Sequence, residues 1–108
     1  MAWGPHPNTE DELEKLAAVR GYFHEQFPEA EIRDSYDTDR LAQVFQIRMD
    51  GKDELSDAVL LTQFLDEYPA SKLARVLLGW RVAEHVQSAK GVDVIVSSWG
   101  VEEQEKGR

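Results

Sequence analysis

Residues 70–91 strongly constrain the fold, because they have the pattern of a helix with apolar side chains on two opposite sides. Pro69 stands at the start of this helix and Gly91 just past its end, where these residue types are favoured. The main apolar stripe recurs at helical spacing and contains Leu73, Val76, Leu77, Trp80 and Ala83. The second stripe, on the opposite side, contains Leu78, Val82 and Val86. A helix that lies on a sheet needs only one apolar side, so the second stripe predicts a further contact.

Two kinds of contact would cover the second stripe. Either the first helix of the chain, over residues 9–27, packs across Leu78, Val82 and Val86, or a second copy of the chain or another protein does. Burying each of these side chains gains roughly 1.5 to 3 kcal/mol, far more than a surface ion pair contributes. We therefore expect the stripe to be covered, and both explanations remain open at this level.

The remaining patterns predict an α+β domain. Thr9 and Glu12 have the spacing of a capping box at the start of the first helix, which Pro28 ends. Alternating apolar and polar residues then indicate two strands over about 30–49, and the Asp50-Gly51 turn leads into a third strand near residues 57–61. The long helix and a β-branched strand from Val92 follow. The order is α-β-β-β-α-β, with a three-stranded antiparallel meander, a final strand and both helices on one face of a four-stranded sheet.

Composition sets the organisation of the chain and several exclusions. Residues 1–8 are expected to form an extended leader, residues 9–100 one domain and the polar residues 101–108 a disordered tail. The absence of cysteine rules out disulfides, thiolate metal sites and a cysteine nucleophile. Neither a signal peptide nor an apolar stretch of membrane-spanning length is recognisable, so a cytoplasmic protein is expected.

The net charge of -9 limits the classes of partner. Nucleic acids and anionic membranes attract clustered lysine and arginine, so neither is expected to bind this chain. A basic protein partner suits the charge. The long helix differs from the rest of the acidic chain because it is rich in lysine and arginine. Ser71, Lys72 and Arg75 in its first turns could bind an anion. The alternative is that both cations pair with nearby carboxylates such as Asp66 and Glu67.

Catalytic and metal-binding patterns are weak in this sequence. His24 lies on the apolar side of the first helix, with Arg20 one turn before it, and together with Tyr36 it could line a small pocket. The three histidines have no metal-ligand spacing, and no nucleophile motif is present. We therefore predict no catalytic residues, no metal and no cofactor.

Two tryptophans flank the predicted domain. Trp3 precedes the first helix and Trp99 follows the final strand. Each could close one end of the core or, if exposed, anchor an interface, because large aromatic side chains dominate binding energies.

The order of elements over residues 9–98 and the acidity resemble the small secretion chaperones of bacteria, which are acidic α/β dimers, although the final strand and helix of that family have no counterpart here. The resemblance implies a chaperone-like or adaptor-like role. Together, these patterns predict a small, acidic, non-enzymatic protein-interaction module, homodimeric or bound to another protein. The alternative is a small ligand-binding domain or enzyme with a pocket near His24.

Overall fold

The structure, a computed structural model, describes residues 9–48, 57–88 and 92–105. The predicted leader 1–8, including Trp3, lies outside the described residues. The helices are α1 (Glu10–Gln26), α2 (Thr62–Glu67), α3 (Ala70–Gly79) and α4 (Val82–Ser88). The strands are β1 (Glu31–Asp37), β2 (Ala42–Arg48), β3 (Ala58–Leu61), β4 (Val92–Ser97) and β5 (Gly100–Glu105). The α+β class, the meander and the order of the predicted elements are confirmed.

The strands form one five-stranded sheet in the order β1-β2-β3-β4-β5. Neighbouring strands are antiparallel except β3 and β4, which are parallel and are connected through the helices α2, α3 and α4. The prediction of four strands and a disordered tail from residue 101 is wrong, because Gly100–Glu105 pairs along all of β4. Backbone hydrogen bonds to β4 form β5, and Val101 is the β5 side chain that packs against the core. Because the other β5 side chains are mostly polar, the sequence pattern did not predict this strand.

The predicted long helix is two helices that meet at Trp80 and Arg81. Arg81 has a φ of 58°, in the left-handed region, which ends α3 and starts α4 in a new direction. Leu73 and Val82 are nine positions apart, so in one continuous helix of about 100° per residue they would lie on opposite sides. Both are fully buried in the same core. Residues 70–88 therefore form two single-sided helices that are rotated relative to each other, and Leu78 lies on the exposed side of α3.

The described helices all bury their apolar sides on one face of the sheet, as predicted. Phe23 of α1 lies 5.7 Å from Phe45 of β2, measured between ring centroids. Thr9 caps α1 by accepting a hydrogen bond from the Glu12 amide at 3.1 Å. The Tyr22 hydroxyl accepts a hydrogen bond from the Ala83 amide at 2.9 Å, which satisfies a free donor in the first turn of α4. A tyrosine of one helix thus caps another.

The opposite face of the sheet carries no described helix. Its centre is a smaller apolar cluster made only of strand residues: Ala42, Val44, Val59 and Ile95, with Leu61 beside it. These side chains alternate with those that point into the main core, as the twofold repeat of a strand requires. The described part of the domain is therefore two layers, a helical layer and a sheet.

The left-handed backbone at Arg81 predicts a stabilising substitution. Arg81 is exposed, and a side chain with a β-carbon costs roughly 1 kcal/mol or more in this conformation, a cost that glycine avoids. We expect Arg81→Gly to raise the free energy of unfolding by about 0.5 to 1 kcal/mol, measured by urea denaturation. The matched change Arg75→Gly lies inside α3 and should lower it by a similar amount. If both substitutions changed the free energy of unfolding in the same direction and by the same amount, the result would contradict a break between α3 and α4 at Arg81.

Candidate protein-interaction site at one end of the sheet

Three connections meet at one end of the sheet. They are the β1-β2 turn, the junction of β3 with α2 and the β4-β5 turn. Asp37 pairs with Ala42 beside the first turn, Ala42 pairs with Leu61 at the end of β3, and Ser97 pairs with Gly100 beside the last turn. The Thr62 amide donates a hydrogen bond to the Leu41 carbonyl oxygen at 3.0 Å, which holds the first turn against the junction. We call this region the sheet-end surface.

Trp99 projects from the β4-β5 turn and is 91% exposed. The Trp99 amide donates a hydrogen bond to the Ser97 hydroxyl oxygen at 3.2 Å, and Gly100 has a φ of 129° that favours glycine. Of the two predicted roles of Trp99, the structure does not show closure of the core. The side chain is instead an exposed aromatic group on a short turn with a defined backbone.

Leu41 is the second exposed apolar side chain of the sheet-end surface. It is 60% exposed and has a φ of 51°, a conformation that costs a branched residue roughly 1 to 2 kcal/mol. Glycine or asparagine would adopt this conformation at lower cost, and no packing in the core requires a leucine here. The sequence analysis missed Leu41, although an apolar residue directly after the polar segment 37–40 was a signal that could have been used.

Arg40 holds the β1-β2 turn in place. Its guanidinium donates to Asp37 through Nε and to Asp93 through Nη1, both at 2.8 Å. The amides of Asp39 and Arg40 donate to the other oxygen of Asp37. Asp37 lies on β1 and Asp93 on β4, so Arg40 lies over the strands between them, on the face without a described helix. The network makes the turn that carries Leu41 rigid.

The Arg40 network also shifts two pKa values. The hydrogen bond from the Arg40 side chain lowers the pKa of Asp37 below its ordinary value, and the same bond raises the pKa of Arg40. A lowered carboxyl pKa stabilises the fold above the unfolded value near 3.8, and this contribution is lost as the pH falls through the folded pKa. The turn therefore keeps its ion pairs at neutral pH.

Carboxylates lie close in sequence to the two exposed apolar side chains. Asp37 and Asp39 lie in or beside the turn that carries Leu41, and Glu102 follows Trp99 on β5. Arg40 is the cation of this group, and two carboxylates already bind it. The described part of the sheet-end surface thus combines two apolar groups with negative charge.

The predicted interface stripe is wrong for two of its three residues. Val82 and Val86 are fully buried in the core, whereas Leu78 is 59% exposed. The physical reason is the break at Arg81, which turns α4 toward the sheet. Of the two predicted explanations, coverage within the chain accounts for Val82 and Val86, because both lie in one core with residues of α1 and the sheet.

The remaining predicted site residues lie on the helical layer or at the first edge of the sheet. Ser71, Lys72 and Arg75 are exposed on α3, and their anion-binding role stays a prediction. His24 is exposed on α1 and Tyr36 is partly exposed on β1. The Arg20 guanidinium forms an ion pair with Asp34 at 2.7 Å. The pocket predicted for His24, Arg20 and Tyr36 stays a prediction.

An open depression of about 240 Å³ lies elsewhere, on α4. It is lined by Arg81, Glu84, His85 and Ser88. Nδ1 of His85 lies 2.9 Å from a carboxylate oxygen of Glu103, which links α4 to β5. Within residues 9–48, 57–88 and 92–105, no group of three or more histidine or carboxylate side chains is placed to hold a metal ion.

Comparisons of the chain with protein-family models, with curated proteins and with solved structures find no match. The resemblance to secretion chaperones thus gains no support from known sequences or folds. The helices of the described chain are all too short or too polar to cross a membrane.

Proposed function

We propose that the chain is a non-enzymatic protein-interaction module that binds a basic protein partner through its sheet-end surface. The exposure of Trp99 is the observation that carries the proposal. A tryptophan is buried on average in folded proteins, and leaving 91% of it in water forgoes a large hydrophobic gain. Tryptophan is also the residue type most enriched among binding hot spots.

The rigidity of the two turns supports this proposal. The hydrogen bond from the Trp99 amide to Ser97 and the ion pairs of Arg40 hold the two turns in place before a partner arrives. Binding then loses less conformational entropy than it would with flexible loops. A strained, exposed leucine at the same end of the sheet as the tryptophan is more readily explained by recognition than by folding.

Charge favours a basic partner over a second copy of the chain. Two molecules of net charge -9 repel each other, and the carboxylates around Leu41 and Trp99 would face one another in a symmetric dimer. A partner rich in lysine and arginine would instead be attracted to this surface. A chaperone-like or adaptor-like role agrees with such binding.

The variant Trp99→Ala tests the proposal. Immobilised wild-type protein, Trp99→Ala and the control Leu13→Ala are each exposed to an extract of the cells that produce the chain. Leu13 is 54% exposed on α1, so its replacement removes an exposed apolar side chain elsewhere. We expect the wild type and Leu13→Ala to retain the same basic protein and Trp99→Ala to lose it, with binding at least about thirtyfold weaker.

Two measurements complete this test. Urea denaturation should show that Trp99→Ala changes the free energy of unfolding by less than about 0.5 kcal/mol, so that a loss of binding is not a loss of fold. Sedimentation should give the mass of a monomer. Retention of the same proteins by Trp99→Ala, or a dimer that this substitution dissociates, would contradict the proposal.

A further inference from the structure

We propose that the sheet-end surface binds an amphipathic helix with lysine or arginine on its polar side, docked across Leu41 and Trp99. This inference rests on the proposed function and specifies the form of the partner segment. Three observations support it: the separation of the two apolar groups, the backbone structure at this end of the sheet and the local charge.

The spacing of the two apolar groups fits a helix. Leu41 directly precedes β2 and Trp99 lies between β4 and β5, so they are separated by two to three strand spacings, roughly 10 to 14 Å. A helix with its side chains is roughly 10 to 12 Å across, and positions seven apart on one side of it are separated by about 10.5 Å. One helix can therefore contact both side chains.

The backbone at the end of the sheet favours a helix over an extended segment. A bound strand gains affinity by pairing with the free edge of a sheet, along the direction of the strands. The sheet-end surface instead contains turns and strand ends, and the Leu41 carbonyl already accepts the Thr62 amide. A helix satisfies its own backbone hydrogen bonds and needs only side-chain contacts from this surface.

The local charge specifies the polar side of the helix. Asp39 and Glu102 lie close in sequence to the apolar groups, whereas Asp37 and Arg40 are already bound to each other. Lysine or arginine at the borders of the apolar stripe of the bound helix would face these carboxylates. A helix with aspartate or glutamate at these positions would be repelled by the same carboxylates. The surface would therefore discriminate against acidic amphipathic helices.

Three synthetic peptides of about 14 residues, roughly four helical turns, test this inference. The first contains leucine and lysine with leucine at helical spacing. The second has the same composition with leucine and lysine alternating, which favours a strand. The third replaces every lysine of the first with glutamate. Binding of each to the full chain is measured by calorimetry at about 0.15 M salt, where long-range attraction is largely screened.

We expect the first peptide to bind at least about tenfold more tightly than the other two. Trp99→Ala and Leu41→Asn should each weaken its binding by about tenfold or more. Asparagine tolerates the left-handed backbone, so Leu41→Asn removes the apolar group and keeps the turn. The control Leu13→Gln should bind as the wild type does.

Equal binding of the helical and alternating peptides, or no binding of the helical peptide, would overturn the inference. So would unchanged binding by Trp99→Ala and Leu41→Asn. Each of these results leaves the proposed function intact as long as Trp99→Ala still loses the natural partner. Failure of that extract experiment would contradict the proposed function itself, so the two failures are distinguishable.

Discussion

Val82→Glu is expected to unfold the domain or to lower its free energy of unfolding by about 4 kcal/mol or more. Val82 is fully buried in the core, where a carboxylate would be removed from water. The side chain would have to be protonated or to force α4 away from the core. Since the whole stability of a small domain is about 5 to 15 kcal/mol, this loss is a large part of it. Urea denaturation followed by circular dichroism measures it.

Leu78→Glu is the matched control for this substitution. Leu78 belongs to the same sequence stripe as Val82 but is mainly in water, so we expect a change of less than about 0.5 kcal/mol. The pair of variants separates a rotated α4 from a continuous two-sided helix. A folded Val82→Glu protein with normal stability would show that this side of α4 is not in the core.

Tyr22→Phe is expected to lower the free energy of unfolding by about 1 to 3 kcal/mol, although it removes a single oxygen atom. The Tyr22 hydroxyl accepts the Ala83 amide in a buried site, and phenylalanine would leave this donor at the start of α4 without its acceptor. The phenyl ring itself would keep its contact with Phe23, 5.1 Å away between centroids. The decrease in the free energy of unfolding would therefore measure the contribution of the hydrogen bond between α1 and α4.

The pH dependence of stability gives a second measure of the same contact. Burial raises the pKa of the Tyr22 hydroxyl above its ordinary value of 10.0. The neutral hydroxyl therefore contributes its full stability below pH 10, and this contribution is lost as the pH rises through the folded pKa. Tyr22→Phe should abolish this part of the alkaline loss.

Tyr36→Phe provides the control, because Tyr36 is partly exposed on β1. It should change the stability by less than about 0.5 kcal/mol. Identical alkaline profiles for the wild type and Tyr22→Phe would contradict the role assigned to Tyr22.

Local signals predicted much of the fold. The Thr9 cap, the alternation in β1 and β2 and the prolines after α1 and before α3 depend on neighbours in sequence, so they could be recognised without the tertiary structure. The placement of helices on one face followed from the same patterns. The strand β5 could not be recognised in this way, because its pairing partner is β4 and its own side chains are mostly polar.

The sheet-end surface was predicted only through Trp99. Its position after a strand suggested either a closing core residue or an anchor, and periodicity cannot separate these roles because both require a large apolar side chain. Leu41 was assigned to the candidate site because of its positive φ and its exposure, and neither property can be recognised from the sequence. The ion pair between Arg40 and Asp93 joins residues 53 positions apart, beyond the reach of any local pattern.

By itself, the sequence determined most of the elements, the acidic character and the two apolar stripes over residues 70–91, because these depend on composition and short-range spacing. Only the tertiary structure decided that residues 70–88 form two helices. The left-handed backbone at Arg81 changes the direction of the chain, so Val82 and Val86 turn into the core and Leu78 stays in water. The surface that we propose for a partner therefore lies at the end of the sheet, where Trp99 is exposed, and not on the long helix.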